Sequence, residues 1–360
     1  MRRRSSILTA RESLDIGRES TVAHMRRGAH NRASHFTRFP AMPTPASPAF
    51  LQPKAAARLQ GVLSPVVTPF KADLSPDSEK FVRHCKWLLK NGCSGLAIFG
   101  TNSEANSLSV EEKLGMLAAL IHAGVPASAL MPGTGHCALP ATVRMTAHAV
   151  KQGCAGVLML PPFYYKGVTD EGLYRYFSEV IERVGDERLR LYLYHIPPVA
   201  QVGISLKLIG MLLSKYPGIV AGAKDSSGDW NNTKAMLDEF GKSGFDVFPG
   251  SEAFLLDGLR HGGVGCITAT GNINPGAIDN VYRNWRTADA DKLQAGISAT
   301  RKIMQKYPMI PALKSVIAHF GNDAQWRTVR PPLVELSKEQ EAALIPELKA
   351  SGFSMPGLAG

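Results

Sequence analysis

The stretch GIVAGAKD at residues 218–225 carries the pattern that decides the fold of this chain. Six small or apolar residues follow one another, and a lysine and an aspartate come directly after them. A strand that is apolar on both faces is typical of a parallel sheet covered by helices on each side. The stretch therefore predicts a buried strand that ends in polar residues.

Seven other short apolar runs have the same character. They lie at residues 62–67, 95–99, 129–132, 156–160, 190–196, 245–248 and 264–269. Successive runs begin 19 to 34 residues apart, and amphipathic stretches of helical length, such as residues 78–91, fill most of the intervals. Eight such units over about 225 residues predict an α/β fold, a (β/α)₈ TIM barrel.

An open, doubly wound sheet is the alternative arrangement of the same units. That fold binds dinucleotides through a GxGxxG turn at the first helix, and this chain has no such turn there. After the barrel the pattern becomes helical only, at residues 290–307, 311–320 and 337–350. We therefore predict three parts, namely an N-terminal extension at 1–57, the barrel at 58–287 and a C-terminal helical region at 288–360.

The charge of the chain is concentrated near its N terminus. Residues 1–60 hold eleven lysines and arginines and three acidic residues, so they carry +8 of the formal net charge of +11. The extension is rich in Arg, Ser and Pro and has no hydrophobic period, so we expect it to be disordered. The remaining chain is nearly neutral, and no apolar run approaches the ~20 residues of a membrane helix. We therefore expect neither nucleic acid nor a membrane as a partner.

The five cysteines do not form a recognisable framework. None belongs to a CxxC pair or lies near a histidine at zinc-finger spacing. Reduced thiols of this kind are typical of a cytoplasmic protein, which is the location that we expect. The ends of the apolar runs also hold no cluster of histidines or carboxylates, so we expect no metal.

The residues directly after the apolar runs form the candidate site, because the strand ends of a barrel meet at one catalytic face. These positions hold small hydroxyl residues, three tyrosines and one lysine, Lys224. A lysine whose ammonium group loses solvation gives up its proton more easily and becomes a nucleophile. The alternative is a structural lysine that pairs with Asp225 or another acid, and its position alone does not decide between the two.

Two neighbouring positions hold further candidates. Tyr194 ends the strand before that of Lys224, so a parallel barrel places the two strands side by side. Its phenol is suited to proton transfer, or else its ring packs across the barrel mouth. Thr101 and Asn102 lie in a glycine-led turn that offers hydroxyl, amide and backbone N–H donors to a carboxylate.

Taken together, these motifs resemble the dihydrodipicolinate synthase / N-acetylneuraminate lyase superfamily of Schiff-base lyases. The resemblance covers some 300 residues and rests on motifs in the order and spacing of that family. They are GVLSPVVTPF at 61–70, GTNSE at 100–104, PFYY at 162–165, YHIP at 194–197, GAKDSSG at 222–228, Gly250-Ser251 and GGVGCI at 262–267.

The resemblance implies a class I aldolase or lyase that needs no metal or other cofactor. Lys224 would form an imine with the ketone of pyruvate or another 2-oxo acid. Tyr194 would be the proton-shuttling tyrosine, Thr101 the relay hydroxyl, and Thr101 with Asn102 the carboxylate-binding turn.

Three further residues receive roles by the same resemblance. Tyr164 matches a catalytic tyrosine that a neighbouring subunit contributes, which implies a homodimer or homotetramer. Gly250 and Ile267 match positions that line the bound pyruvyl group.

One departure from the family pattern bears on the substrate. Dihydrodipicolinate synthases carry an arginine shortly after the Tyr-x-x-Pro turn to bind the carboxylate of their aldehyde substrate, and residues 195–206, HIPPVAQVGISL, contain none. The motifs look more like those of the 4-hydroxy-2-oxoglutarate and 2-keto-3-deoxy-sugar-acid aldolases. We expect His195 and Gln201 to offer neutral hydrogen bonds instead, while an arginine from another loop stays open.

Two alternatives remain at this point. One is a 4-hydroxy-tetrahydrodipicolinate synthase, which condenses pyruvate with aspartate semialdehyde. The other is a family member that binds 2-oxo acids without catalysis, against which the presence of Lys224, Tyr194 and Thr101 speaks.

Overall fold

The computed structural model of the chain describes residues 57–358. The expected disorder of the N-terminal extension therefore lies almost entirely outside the described residues. The division into three parts stays a prediction. Within 57–358, no helix is both long and apolar enough to cross a membrane.

The strands are short and buried, and all of their pairings are parallel. One sheet has the order β2-β1-β7 and the other β3-β4-β5-β6. The strands are β1 (Gly61–Ser64), β2 (Gly95–Leu96), β3 (Val157–Met159), β4 (Leu191–His195), β5 (Val220–Asp225), β6 (Asp246–Pro249) and β7 (Gly265–Ile267).

The predicted run at 129–132, the third along the chain, does not form a regular strand but lies between the two sheets and connects them. It makes single parallel bridges, Leu96 to Leu130 on one side and Gly133 to Leu158 on the other. Pro132 has no N–H to donate, which limits the hydrogen-bond ladder at this point. At the opposite seam the Val264 N–H donates to the Val247 carbonyl at 3.4 Å. The ring of eight segments is thereby closed, and the predicted (β/α)₈ barrel is confirmed.

Helices follow most of the strands and enclose the barrel. Those of the barrel are α1 (Ser78–Lys90), α2 (Val110–His122), α3 (Leu139–Lys151), α4 (Asp170–Val184), α5 (Pro197–Ala200), α6 (Leu206–Lys215), α7 (Trp230–Phe240), α8 (Leu255–Arg260) and α9 (Pro275–Asn284). The sequence pattern did not predict α5 and α9, which both begin at a proline. Proline is in fact well tolerated in the first turn of a helix, because its missing N–H would have no partner there.

Three further helices follow the barrel, and a 3-10 turn lies between the last two. They are α10 (Ala290–Met304), α11 (Met309–Phe320) and α12 (Lys338–Ala350). The connection between α10 and α11 reaches the carboxyl ends of the barrel strands, where Pro308 to Pro311 form part of a cavity wall.

The interior of the barrel is filled by its own small cluster of side chains. Leu63, Met131, Leu158, Phe248 and Ile267 belong to it and are almost completely buried. Such a packed interior leaves the ends of the strands as the place for a cavity.

Candidate active site

A cavity of about 410 Å³ opens at the carboxyl ends of the strands. Its walls combine strand ends of the barrel with the α10–α11 connection. It is lined by Thr101, Asn102, Tyr194, Ile196, Val199, Lys224, Asp225, Ser226, Gly228, Gly250, Ser251, Phe254, Ala269, Arg301, Pro308, Met309, Ile310, Pro311 and Leu333. Five of the predicted site residues, Lys224, Tyr194, Thr101, Asn102 and Gly250, are thus brought together.

Lys224 is placed by the pairing of two central strands. In the register of β4 and β5 it lies opposite Tyr194. Lys224 is only 4% exposed, and its Nζ donates to the Tyr194 hydroxyl at 3.2 Å. The same nitrogen lies 4.3 Å from the centre of the tyrosine ring. The amine is therefore buried against a phenol at the floor of the cavity.

The carboxylate of Asp225 is engaged elsewhere. It accepts hydrogen bonds from the Thr233 hydroxyl at 2.5 Å and from the Ser227 N–H at 2.9 Å. Among the described residues, no carboxylate oxygen lies within 4 Å of the Lys224 amine. The alternative of a structural ion pair between Lys224 and Asp225 is therefore not what the structure contains.

Tyr194 connects Lys224 to the turn that follows β2. The Tyr194 hydroxyl and Thr101 Oγ1 are 3.2 Å apart, and either group can be the donor. Tyr194 is only 3% exposed, so the path is shielded from bulk water. Lys224, Tyr194 and Thr101 thus form a continuous hydrogen-bonded chain along which a proton can pass.

The 3-10 turn Thr101–Ser103 borders the cavity and has backbone donors without partners. The Ser103 hydroxyl braces the turn by accepting the Gly100 N–H at 3.2 Å and donating to the Val66 carbonyl. Within 57–358, the N–H groups of Thr101 and Asn102 donate to no acceptor. Free N–H groups at the start of a turn are suited to an anion such as a carboxylate.

Gly250 permits the ends of β5 and β6 to lie close together. Its N–H donates to the Asp225 carbonyl at 2.6 Å. A side-chain carbon at this position would lie 2.9 Å from that carbonyl and would also overlap the Ser226 hydroxyl. Any larger residue would therefore displace the strand ends that form the cavity wall.

Two predicted site residues lie away from this cavity. Tyr164 is 74% exposed, with its ring 5.3 Å from that of Tyr165, so its proposed role in a partner subunit stays a prediction. Ile267 is buried in the barrel interior beside Tyr194, below the cavity wall, and its contact with a pyruvyl group also stays a prediction.

His195 and Gln201, which we expected to face the substrate, do not line the cavity. His195 Nδ1 accepts the Ile204 N–H at 2.9 Å and so holds the loop after β4 in place. Burial lowers the pKa of His195, although nearby Asp225 opposes the shift. Ile196 and Val199 supply apolar wall at this side instead.

Arg301 was not predicted from the sequence, and among the described residues it is the one arginine that lines the cavity. It lies on α10, four residues after the buried Ile297, and so on the helix face that packs inward. Its Nη1 donates to Glu252 Oε2 at 2.9 Å and to Thr268 Oγ1 at 3.1 Å. The signal available in the sequence was an arginine on the same face of the helix as the buried apolar residues.

The described part of the chain contains no group of three or more His, Cys, Asp or Glu residues placed to hold a metal ion. The functional groups that line the cavity include the Lys224 amine, the Tyr194 phenol, the Arg301 guanidinium and several hydroxyls.

Comparison with known proteins places this site in a family. The model of the dihydrodipicolinate synthetase family matches residues 58–351. A relative from Chloroflexus aurantiacus, described as an uncharacterized DapA-like lyase, is 32% identical over 291 residues, which cover 80% of this chain and 95% of the relative.

Solved structures agree with that match. Dihydrodipicolinate synthase from Agrobacterium tumefaciens has a TM-score of 0.75 and 32% identity, covering 81% of this chain and 98% of its own. YagE from E. coli is a prophage protein of the dihydrodipicolinic acid synthase family, and its structure contains pyruvate. It has a TM-score of 0.74 and 26% identity, covering 82% of this chain and all of its own. The resemblance inferred from the motifs is thereby confirmed.

Proposed function

The chain belongs to the dihydrodipicolinate synthetase family and is a lyase, and from that premise we propose that it breaks or forms a C–C bond of a 2-oxo acid through an imine on Lys224. The observation that carries this proposal is the buried Lys224 amine, 3.2 Å from a phenol and without a carboxylate partner among the described residues. No metal takes part in the proposed steps.

The first half of the reaction is the capture of the ketone. The neutral amine of Lys224 attacks C2 of the 2-oxo acid, and the carbinolamine loses water to form a protonated imine. Tyr194 lies close enough to transfer the protons that this addition and dehydration require, and Thr101 connects it to the cavity. The substrate C1 carboxylate would be bound by the free N–H groups of Thr101 and Asn102.

The second half is cleavage or its reverse. Dehydration to the protonated imine takes one proton from Tyr194 and leaves it as the phenolate. For a 4-hydroxy-2-oxo acid, this phenolate accepts the C4 hydroxyl proton, C4 leaves as the carbonyl carbon of an aldehyde, and the electron pair of the C3–C4 bond moves into the imine to give an enamine. Protonation at C3 returns the imine of pyruvate, and addition of water releases pyruvate and the free lysine. The condensation direction uses the same steps in reverse order.

A second candidate is the condensation of pyruvate with aspartate semialdehyde. The 32% identity to the Agrobacterium tumefaciens synthase favours it, and the missing arginine in 195–206 speaks against it. The two reactions are distinguished by measuring kcat/KM for each with one enzyme preparation. We expect a hydroxylated 2-oxo acid to be the better substrate, and a tenfold advantage for the semialdehyde would reverse this ranking.

The imine itself is tested by trapping with pyruvate and borohydride. The hydride reduces the imine to a stable amine, and mass spectrometry should place the added mass on Lys224. Absence of any adduct on the wild-type protein would contradict the proposal and leave a non-catalytic binding protein. An adduct without turnover of any 2-oxo acid would also favour that alternative.

We also propose that the active form is a homo-oligomer in which Tyr164 of a neighbouring copy completes the site. Its 74% exposure beside Tyr165 leaves an aromatic pair free on the isolated chain. Light scattering should give a dimer or tetramer, and Tyr164→Phe should lower kcat without changing that state. A fully active monomer would contradict this assignment.

A further inference from the structure

The cavity contains a second basic side chain besides Lys224, that of Arg301, and the proposed reaction does not use it. Arg301 comes from α10, outside the eight β–α units, and lines the same cavity. The wall around it is largely apolar and includes Phe254, Ala269 and Met309. An anion that enters such a wall loses hydration, and only a charged donor restores most of the lost free energy.

Arg301 is held in a fixed orientation. Its Nη1 is bound by Glu252 and Thr268 at 2.9 and 3.1 Å. Glu252 is fully buried and accepts the hydroxyls of Thr268 and Thr270, so the carboxylate that orients the guanidinium is itself immobile. A group positioned in this way needs little reordering when a ligand arrives.

Arg301 still has donors to offer. Within residues 57–358, neither its Nη2 nor its Nε makes a hydrogen bond, and the Nε atom is buried without a partner. The Nε and Nη2 groups form one edge of the guanidinium plane. That edge is the one that matches the two oxygens of a carboxylate.

Resting on the function proposed above, we propose that Arg301 binds a second carboxylate, carried by the 2-oxo acid at the end of its chain remote from the imine. The first carboxylate occupies the Thr101–Asn102 turn, and the ketone is bonded to Lys224. The substrate class is thus a dicarboxylic 2-oxo acid rather than a neutral sugar acid.

The position of Arg301 fits this division of the cavity. Thr268, which anchors it, directly follows β7, whereas Lys224 lies on β5, two strands away. Neighbouring strands are about 4.8 Å apart, so the two anchor points are separated by roughly 10 Å along the rim. Arg301 and Lys224 both line the same cavity.

The test compares two 2-oxo acids of equal length that differ at the far end. 2-Oxoglutarate ends in a carboxylate and 2-oxovalerate in a methyl group, and neither needs to be cleaved. Each is titrated against the protein with borohydride, and the concentration for half-maximal adduct on Lys224 is measured by mass spectrometry. Pyruvate serves as the separate test of the proposed function, because it has no second carboxylate.

For the wild-type protein we expect 2-oxoglutarate to be captured at about tenfold lower concentration than 2-oxovalerate, or lower still. Arg301→Met should reduce this ratio to near one. Arg301→Lys keeps a positive charge beside Glu252 and so guards against misfolding, yet its point charge should recover only part of the ratio. Lys302→Met, an exposed neighbour on the same helix, should keep the wild-type ratio.

Each outcome decides a separate point. A wild-type ratio near one, with pyruvate captured normally, would overturn the role of Arg301 and leave the imine chemistry intact. Equal losses for both acids in the Arg301 variants would show that the arginine acts only by supporting Glu252, which also overturns the proposal. Failure of the wild-type protein to capture pyruvate would count against the proposed function instead.

Discussion

Two buried lysines, Lys224 in the barrel and Lys314 on α11, show how a partner decides what a lysine does. Lys224 faces a phenol and an open cavity. Lys314 is fully buried, forms an ion pair with Glu104 and donates to the Thr328 carbonyl at 2.7 Å. Burial lowers the pKa of Lys314 to about 8, while Glu104 opposes the shift.

The two lysines differ in whether the amine is paired with a negatively charged group. The ammonium group of Lys314 uses its protons to satisfy a buried carboxylate and a carbonyl, so it has a structural role. Lys224 has only the Tyr194 hydroxyl as a hydrogen-bond partner in the described chain, so its amine is not paired with a negative charge. A carboxylate partner stabilises the ammonium form of a lysine, whereas a phenol partner adds no negative charge, which suits the nucleophilic role proposed for Lys224.

Both lysines are connected to the turn that follows β2. Lys224 is connected through Tyr194 and Thr101, and Lys314 through Glu104. Glu104 directly follows Thr101–Ser103 and has a left-handed backbone with a φ of 55°. Its second carboxylate oxygen accepts the Arg330 N–H at 2.8 Å. The C-terminal helices thus fix the turn to which the substrate carboxylate is expected to bind.

The largest effect should come from removing the amine of Lys224. Lys224→Met should lower kcat by a factor of about 10⁴ or more and abolish the borohydride adduct with pyruvate, because the imine needs that nitrogen. The melting temperature should stay near the wild-type value, since no ion pair is broken. A persisting adduct in this variant would mean that another lysine, such as Lys314, carries the chemistry.

Removal of the Tyr194 hydroxyl should have the next largest effect on turnover. Tyr194→Phe should lower kcat by roughly 10²–10⁴ with a smaller change in KM, because proton transfer is lost while the ring remains. Steady-state kinetics measures both parameters. Tyr216→Phe is the matched control, because the Tyr216 hydroxyl donates to Glu182 and the residue does not line the cavity. If kcat were unchanged, Tyr194 would be a packing residue and the contrast between the two lysines would lose its chemical basis.

Lys314→Met tests the structural lysine. The free energy of unfolding should fall by about 3–5 kcal/mol, because the Glu104 carboxylate is left buried and unpaired. The double variant with Glu104→Gln should recover a large part of the lost free energy of unfolding, because neither member of the pair is then charged. Urea unfolding of both variants measures this, and a single-variant cost below about 1 kcal/mol would contradict the assigned role.

Asp225→Asn should have the smallest effect on turnover. Asp225 bonds Thr233 and Ser227 rather than Lys224, so kcat should change by no more than about threefold. The free energy of unfolding should fall by about 1–3 kcal/mol as charged hydrogen bonds become neutral ones. A hundredfold loss of kcat at full stability would show that Lys224 depends on the Asp225 charge after all.

The local pattern of the sequence was enough to place Lys224. It follows six small or apolar residues, and such a run can be seen without any tertiary contact. Lys314 carried a weaker signal, since it lies in the mostly apolar stretch PALKSVIA at 311–318, all of which is buried in the structure. We predicted that helix but not the burial of its lysine, because the partner Glu104 lies 210 residues away.

The sequence by itself determined the alternation of strands and helices and the barrel. It also determined that Tyr194, Lys224 and the Thr101 turn lie at the ends of barrel strands. These follow from hydrophobic periodicity and chain order, which record the burial of each segment independently of the others. Tertiary structure alone decided which distant groups meet, namely Arg301 with Glu252 in the cavity wall and Lys314 with Glu104 beneath the turn. The physical reason is that packing of the C-terminal helices on the barrel brings residues 49 and 210 positions apart into contact, and no local pattern encodes that distance.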